Sequence, residues 1–110
     1  MEIIQQTTAL IARDLGLDIK EESMTEEELF NLVINEVAYM IEHRLEYLLS
    51  LMYRMDISEQ KVSDALSPAA PEPANIGLGR LILERQKQRI YTKIRYKQEK
   101  LDDLEEGLEY

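Results

Sequence analysis

Cysteine is absent from the 110-residue chain, which removes disulfides, thiolate zinc sites and thiol nucleophiles together. Histidine occurs once, at His43, too rarely for a His-rich metal site. Four glycines and three prolines are too few for the many tight turns of an all-β fold. No apolar run approaches the ~20 residues that a membrane-spanning helix needs. The first residues also lack the basic stretch and apolar core of a secretory signal. The sequence therefore leads us to expect a cytoplasmic protein without a membrane partner.

What is present points to one helical domain over residues 1–110. Hydrophobic residues make up 45% of the chain and charged residues 32%, a mixture that can bury a core despite a formal charge of -9. Apolar residues recur at three- and four-residue steps over 3–15 (Ile3, Ile4, Leu10, Ile11, Leu15), and Gly16 follows as a helix stop. Residues 17–24 read as a connection. Thr25 and Glu28 have the spacing of a capping box, and Glu26 and Glu27 add negative charge where the helix dipole favours it.

From that cap the spacing predicts one uninterrupted helix over 25–56. Phe30, Ile34, Val37, Ile41, Leu45, Leu48, Met52 and Met55 form a stripe that Leu29, Val33, Met40 and Leu51 widen. Ser58 caps a predicted short helix within 58–66. Three prolines in 67–74 imply an extended, mobile linker. Asn75 is the expected cap of a last helix over 76–104, striped by Ile76, Leu83, Ile90, Ile94, Leu101 and Leu104 and interrupted by Arg80, Lys87 and Lys97. Residues 105–110 form an acidic tail, with fraying expected where carboxylates oppose the dipole. Both seams are too interrupted for a long uniform coiled coil.

The fold class that follows is all-α: an antiparallel helical hairpin with two short accessory helices, completed as a bundle by dimerisation. Two long helices make a thin core, so dimerisation is expected through residues 29–55 and 76–101, with the stripe of Phe30, Val33, Ile34, Val37, Ile41, Leu45, Leu48 and Met52 as the expected dimer or partner seam. Arg44 falls at the centre of this apolar face. A buried guanidinium there needs a carboxylate, and Glu36 or Glu84 are the candidate partners of an ion pair or anion site.

Charge is segregated along the chain. Residues 80–100 hold eight basic residues against Glu84 and Glu99, within a chain that is acidic as a whole. Arg85, Arg89, Lys93, Tyr96 and Lys100 form a basic ridge with one aromatic, the pattern that phosphate contacts require. Charge matching with the acidic start of the long helix (Glu26, Glu27, Glu28, Glu36, Glu42, Glu46), within the fold or across a dimer, explains the ridge more simply.

Catalytic chemistry finds little support. The only histidine is on the long helix amid apolar neighbours, which leaves Ser and Thr without an accompanying base, and Gly77 and Gly79 lack the Gly-Lys-Ser/Thr ending of a phosphate loop. His43 has Met40 where a di-metal bundle would place Glu. Glu21 with Glu22, Glu26 to Glu28, and Glu99 with Asp102 are carboxylate groups of the kind that hold Mg²⁺ in helical nucleotide pyrophosphohydrolases, which sets an enzyme reading beside the others. The expectation is nevertheless a non-enzymatic homodimeric interaction or adaptor module, without catalytic residues, cofactor or metal, whose partners are itself and a further protein. A nucleic-acid-associated regulator built on the basic ridge is the second reading.

Overall fold

The computed structural model describes the backbone of residues 3–17 and 24–108, and side chains as far as residue 98. Among the described residues the protein is all-helical: α1 (Ile3–Leu15), α2 (Glu26–His43), α3 (Leu45–Arg54), α4 (Glu59–Leu66) and α5 (Ala74–Leu108). No described helix is long and apolar enough to cross a membrane.

The caps read from the sequence form as spaced. Thr25 Oγ1 accepts from the Glu28 amide at 3.1 Å, and the Glu28 carboxylate accepts from the Thr25 amide at 3.0 Å. These bonds, the backbone one first, hold the Glu28 carboxyl below its ordinary range. Ser58 Oγ accepts from the Lys61 amide and starts α4. Gly16 closes α1 at φ +68°, with the Leu17 amide donating back to the Ala12 carbonyl. The same closure ends α3, where the Ile57 amide reaches the Met52 carbonyl and Asp56 takes the left-handed position at φ +63°.

The predicted helix over 25–56 is instead two helices, broken at Arg44 (φ -145°, ψ 48°). A straight continuation would carry the Arg44 guanidinium into the core between Met40 and Leu48, where its desolvation has no carboxylate to offset it. One residue leaves helical geometry, Arg44 stays in water, and both Met40 and Leu48 are buried. The proline segment also differs from expectation. It is folded into turns: Ser67 Oγ accepts from the Ala69 amide and the Ser67 carbonyl from the Ala70 amide. A two-pronged pair from Arg80 Nε and NH2 to Glu72 adds to this fold, at 3.2 and 3.0 Å. The pair lowers the Glu72 pKa from its usual value.

Asn75 does not cap α5. The Pro73 carbonyl accepts from the Ile76 and Gly77 amides, so the helix starts at Ala74, where the fixed φ of proline suits a helix entry. The Asn75 amide instead donates to the Ile34 carbonyl of α2 at 3.4 Å. At the other end α5 is helical through Leu108, past the expected limit at 104.

The first half of α5 is the centre of the molecule and packs against α1, α2 and α4. Leu78, Ile82 and Leu83 meet Ile11 and Leu15 of α1, Leu29, Val33, Val37 and Met40 of α2, Leu48, Leu51 and Met52 of α3, and Met55 just after it, in one core. Along the α2–α5 contact Gly79 lies against Ile34 and Lys87 pairs with Glu26 at 2.6 Å, so the two chain directions oppose. Closest approach is at Gly79: a Cβ there would sit 2.7 Å from Ile34 Cγ2, which hangs on a stiff β-branched carbon.

Two stability changes follow. Gly79→Ala gains about 1 kcal/mol of helix propensity but overpacks a rigid neighbour at a cost of about 1–3 kcal/mol. A lowered chemical-denaturation midpoint is therefore expected, restored in part by adding Ile34→Ala. Asp56→Gly relieves a left-handed residue at a gain of about 1 kcal/mol, and should raise the melting temperature by several degrees.

Candidate functional site

The structure separates the residues that the sequence grouped as a seam. Val33, Val37, Leu48 and Met52 are buried in the chain's own core. Phe30, Ile34 and Ile41 are half-buried, and only Leu45 stands exposed. The stripe over 29–55 is thus largely covered within one chain, because α1 and α5 together supply the width that a single partner helix could not. Of the expected seam, Leu45 and the half-buried Phe30, Ile34 and Ile41 keep some exposure.

Arg44 is likewise not the buried cation that its position suggested. It is exposed at the α2–α3 joint, with its guanidinium carbon 4.1 Å from the Tyr47 ring centroid, a cation–π contact. Among the described residues it makes no ion pair with Glu36 or Glu84. Glu36 is half-buried on α2, while Glu84 is exposed on α5 and lies 4.0 Å from Lys87 Nζ. His43 is exposed, its ring 4.7 Å from that of Tyr39 and its Nε2 3.8 Å from Glu42.

The basic ridge divides into committed and open cations. Arg85 is built into the fold: its Nε donates to the Met55 carbonyl at 2.9 Å and its NH1 to Gln88 at 3.1 Å, with Asp56 at 3.8 Å. It thereby satisfies a carbonyl at the end of α3. Arg89 donates to Gln86 Oε1 at 3.1 Å and lies 3.6 Å from Asp14. Lys87, outside the ridge, is held by Glu26, whose hydrogen bond raises the ammonium pKa above its usual value. Lys93 and Tyr96 are exposed, as are Arg95 and Lys97 beside them. The Lys100 side chain lies outside the described residues, as do those of Glu99 and Asp102, and Glu21 and Glu22 lie outside them altogether. Of the remaining carboxylate group, Glu26 is engaged by Lys87 and Glu28 by the cap. No cluster of three or more His, Asp or Glu residues able to hold a metal occurs among the described residues.

Two polar concavities flank α5. A groove of about 760 Å³ runs between the start of α4 and α5, with Lys61, Arg85, Lys87 and Arg95 set against Asp56 and Glu84. Two of those cations are already spent on the fold. The second, of about 340 Å³, lies where α1, α3 and α5 meet and is lined by Arg13, Asp14, Tyr47, Arg54 and Arg89 among others. Beneath it Gln86 is fully buried, donating to Asp14 Oδ2 at 2.7 Å while accepting from Arg89. Sequence reading passed over this cluster. Its members come from three distant segments, and the one available signal was a glutamine, Gln86, amid the apolar positions of α5.

Compared with known proteins, the chain matches no family model, no curated protein and no solved structure.

Gln86 ties α1 to α5 inside the core, so its loss tests that junction. Gln86→Leu keeps the volume but removes the bond to Asp14, and is expected to destabilise the protein by about 1–3 kcal/mol in denaturant unfolding. A double-mutant cycle with Asp14→Ala should show strong coupling between the two positions.

Proposed function

We propose that the protein is a cytoplasmic, non-enzymatic interaction module that works as a homodimer, its bundle completed by a second copy, with a further protein as its target. The observation that carries this reading is the behaviour of α5 beyond Ile90. Ile90 is its last buried residue with a described side chain, and residues 91–98 are all exposed, Ile94 included at 38%. The helix nevertheless continues to Leu108, roughly 27 Å past the core at 1.5 Å per residue.

Apolar residues keep a coiled-coil rhythm along this outer half. Ile90, Ile94, Leu101, Leu104 and Leu108 stand at steps of a heptad seam, and Lys97 is the single cation within it. An unaccompanied helix of this length is marginal in water, which favours a partner. Charge favours a second copy running the opposite way. The segment is basic up to Lys100 and acidic from Asp102 to Glu109, so an antiparallel mate sets Lys93 and Arg95 against carboxylates, whereas a parallel mate stacks like on like. Matching seam positions then place Ile94 of one chain level with Leu104 of the other. This narrows the expected dimer contact of residues 29–55 and 76–101 to the outer half of α5.

Light scattering at about 100 µM, a suitable concentration for a small interface, should return twice the 12.9 kDa chain mass. Leu104→Asp should return the single-chain mass, with helicity lowered by no more than the outer half of α5 contributes and the core's unfolding transition retained. Mixed Ile94→Cys and Leu104→Cys chains should form a disulfide under mild oxidation, while Ile94→Cys alone should not. A single-chain mass for the unsubstituted protein would end the homodimer reading, and self-crosslinking of Ile94→Cys would overturn the antiparallel arrangement.

A nucleic-acid reading retains Lys93, Arg95 and Lys97, which have no ion pair among the described residues. It requires binding to duplex or single-stranded probes that weakens steeply with salt.

A further inference from the structure

The cavity at the α1–α3–α5 junction concentrates positive charge in a chain that carries a net charge of -9. Arg13, Arg54 and Arg89 line it from three different helices, and Asp14 is the one carboxylate among the lining residues. The Arg44 guanidinium stacks on Tyr47, itself part of the wall. Guanidiniums repel one another, and in an acidic protein each had carboxylates available elsewhere. Their convergence therefore calls for an explanation beyond fold stability.

Asp14 does not exhaust them. A guanidinium carries five N–H donors. Arg13 gives its Nε to Asp14 Oδ1 at 3.1 Å, and Arg89 gives NH1 to Gln86 Oε1 and approaches Asp14 Oδ2 at 3.6 Å. Arg54 has no hydrogen bond or ion pair among the described residues. Asp14, itself gripped by buried Gln86, acts as a post that orients two guanidiniums while leaving most of their donors unspent. Tyr47 adds a hydroxyl to the same cavity.

We propose that this cavity binds the phosphate group of a small phosphorylated molecule. Planar guanidinium forks match phosphate oxygens in pairs, and a tetrahedral dianion offers enough acceptors for several arginines where a carboxylate offers only two oxygens. The volume of about 340 Å³ lies at the small end of ligand pockets, which fits a phosphate with a compact substituent. Arg54 supplies the uncommitted charge, and Arg13 and Arg89 are preset by Asp14. The site is separate from the outer half of α5, so it stands or falls independently of dimerisation.

The test is thermal unfolding of the full chain in rising inorganic phosphate and pyrophosphate, against sodium chloride at matched ionic strength. A saturable rise of several degrees in melting temperature is expected with either probe, because a ligand bound only by the folded state stabilises it. Arg54→Gln alters an exposed residue outside the core and should abolish the rise, as should Arg13→Gln. Lys97→Gln, on exposed α5 away from the cavity, should keep it. Phosphate also stabilises proteins by exclusion from their surface. A rise that does not saturate, or one equal in Arg54→Gln, would therefore overturn the proposal, as would no rise at all. Saturation with inorganic phosphate but not pyrophosphate would limit the site to the free ion and exclude a substituted phosphate.

Discussion

Leu78, Ile82, Leu83 and Gln86 of α5 leave water only because other helices cover more than one side of them. Each large apolar side chain so buried contributes about 1.5–3 kcal/mol. The remaining elements answer to this requirement. α2 lies along α5 closely enough that position 79 has no room for a side chain, and α4 packs on it by way of the turn-rich proline segment that joins the two. α1 closes the third side. The wide apolar stripe on α2 and α3 is the complement of this arrangement, since a helix that must cover α5 while meeting α1 and α3 needs more than a narrow seam.

The polar groups follow the same logic of enforced position. Gln86 sits where an apolar residue would serve burial equally well, yet its amide reaches across to Asp14 and selects one register of α1 on α5. No described buried side-chain nitrogen or oxygen lacks a partner. Arg85 spans from α5 to the last carbonyl of α3, and Lys87 reaches the first turn of α2, so successive turns of one helix fix the ends of two others. Charge matching between the basic stretch and the acidic start of α2 is real at Lys87 but incomplete, since the outer cations find no described carboxylate.

Local signals were legible in the sequence and their global consequences were not. The Thr25 box, the Ser58 cap and the Gly16 stop each depend on a few neighbouring residues, and each formed as spaced. Arg44 was legible as an anomaly, but periodicity alone offered a buried ion pair, while the chain resolved the conflict by breaking its helix. The prolines at 68, 71 and 73 marked a stop correctly, yet the turns they adopt depend on Ser67 and on a pair between Glu72 and Arg80 that no local rule anticipates. The arginine cavity was illegible for a plainer reason. Residues 13, 54 and 89 share no period, and only the folded chain brings them to one place.

The bond between Asp14 and Gln86 joins positions 72 apart in the chain. During synthesis α1 emerges from the ribosome well before the segment that shelters Ile11 and Thr7 has been made. Until α5 arrives, that helix lacks its main packing partner and part of its apolar side stays wet. Docking of α1 is therefore a late event, gated by translation of α5, and a chain stalled before Gln86 would present α1 to chaperones as an unprotected amphipathic segment.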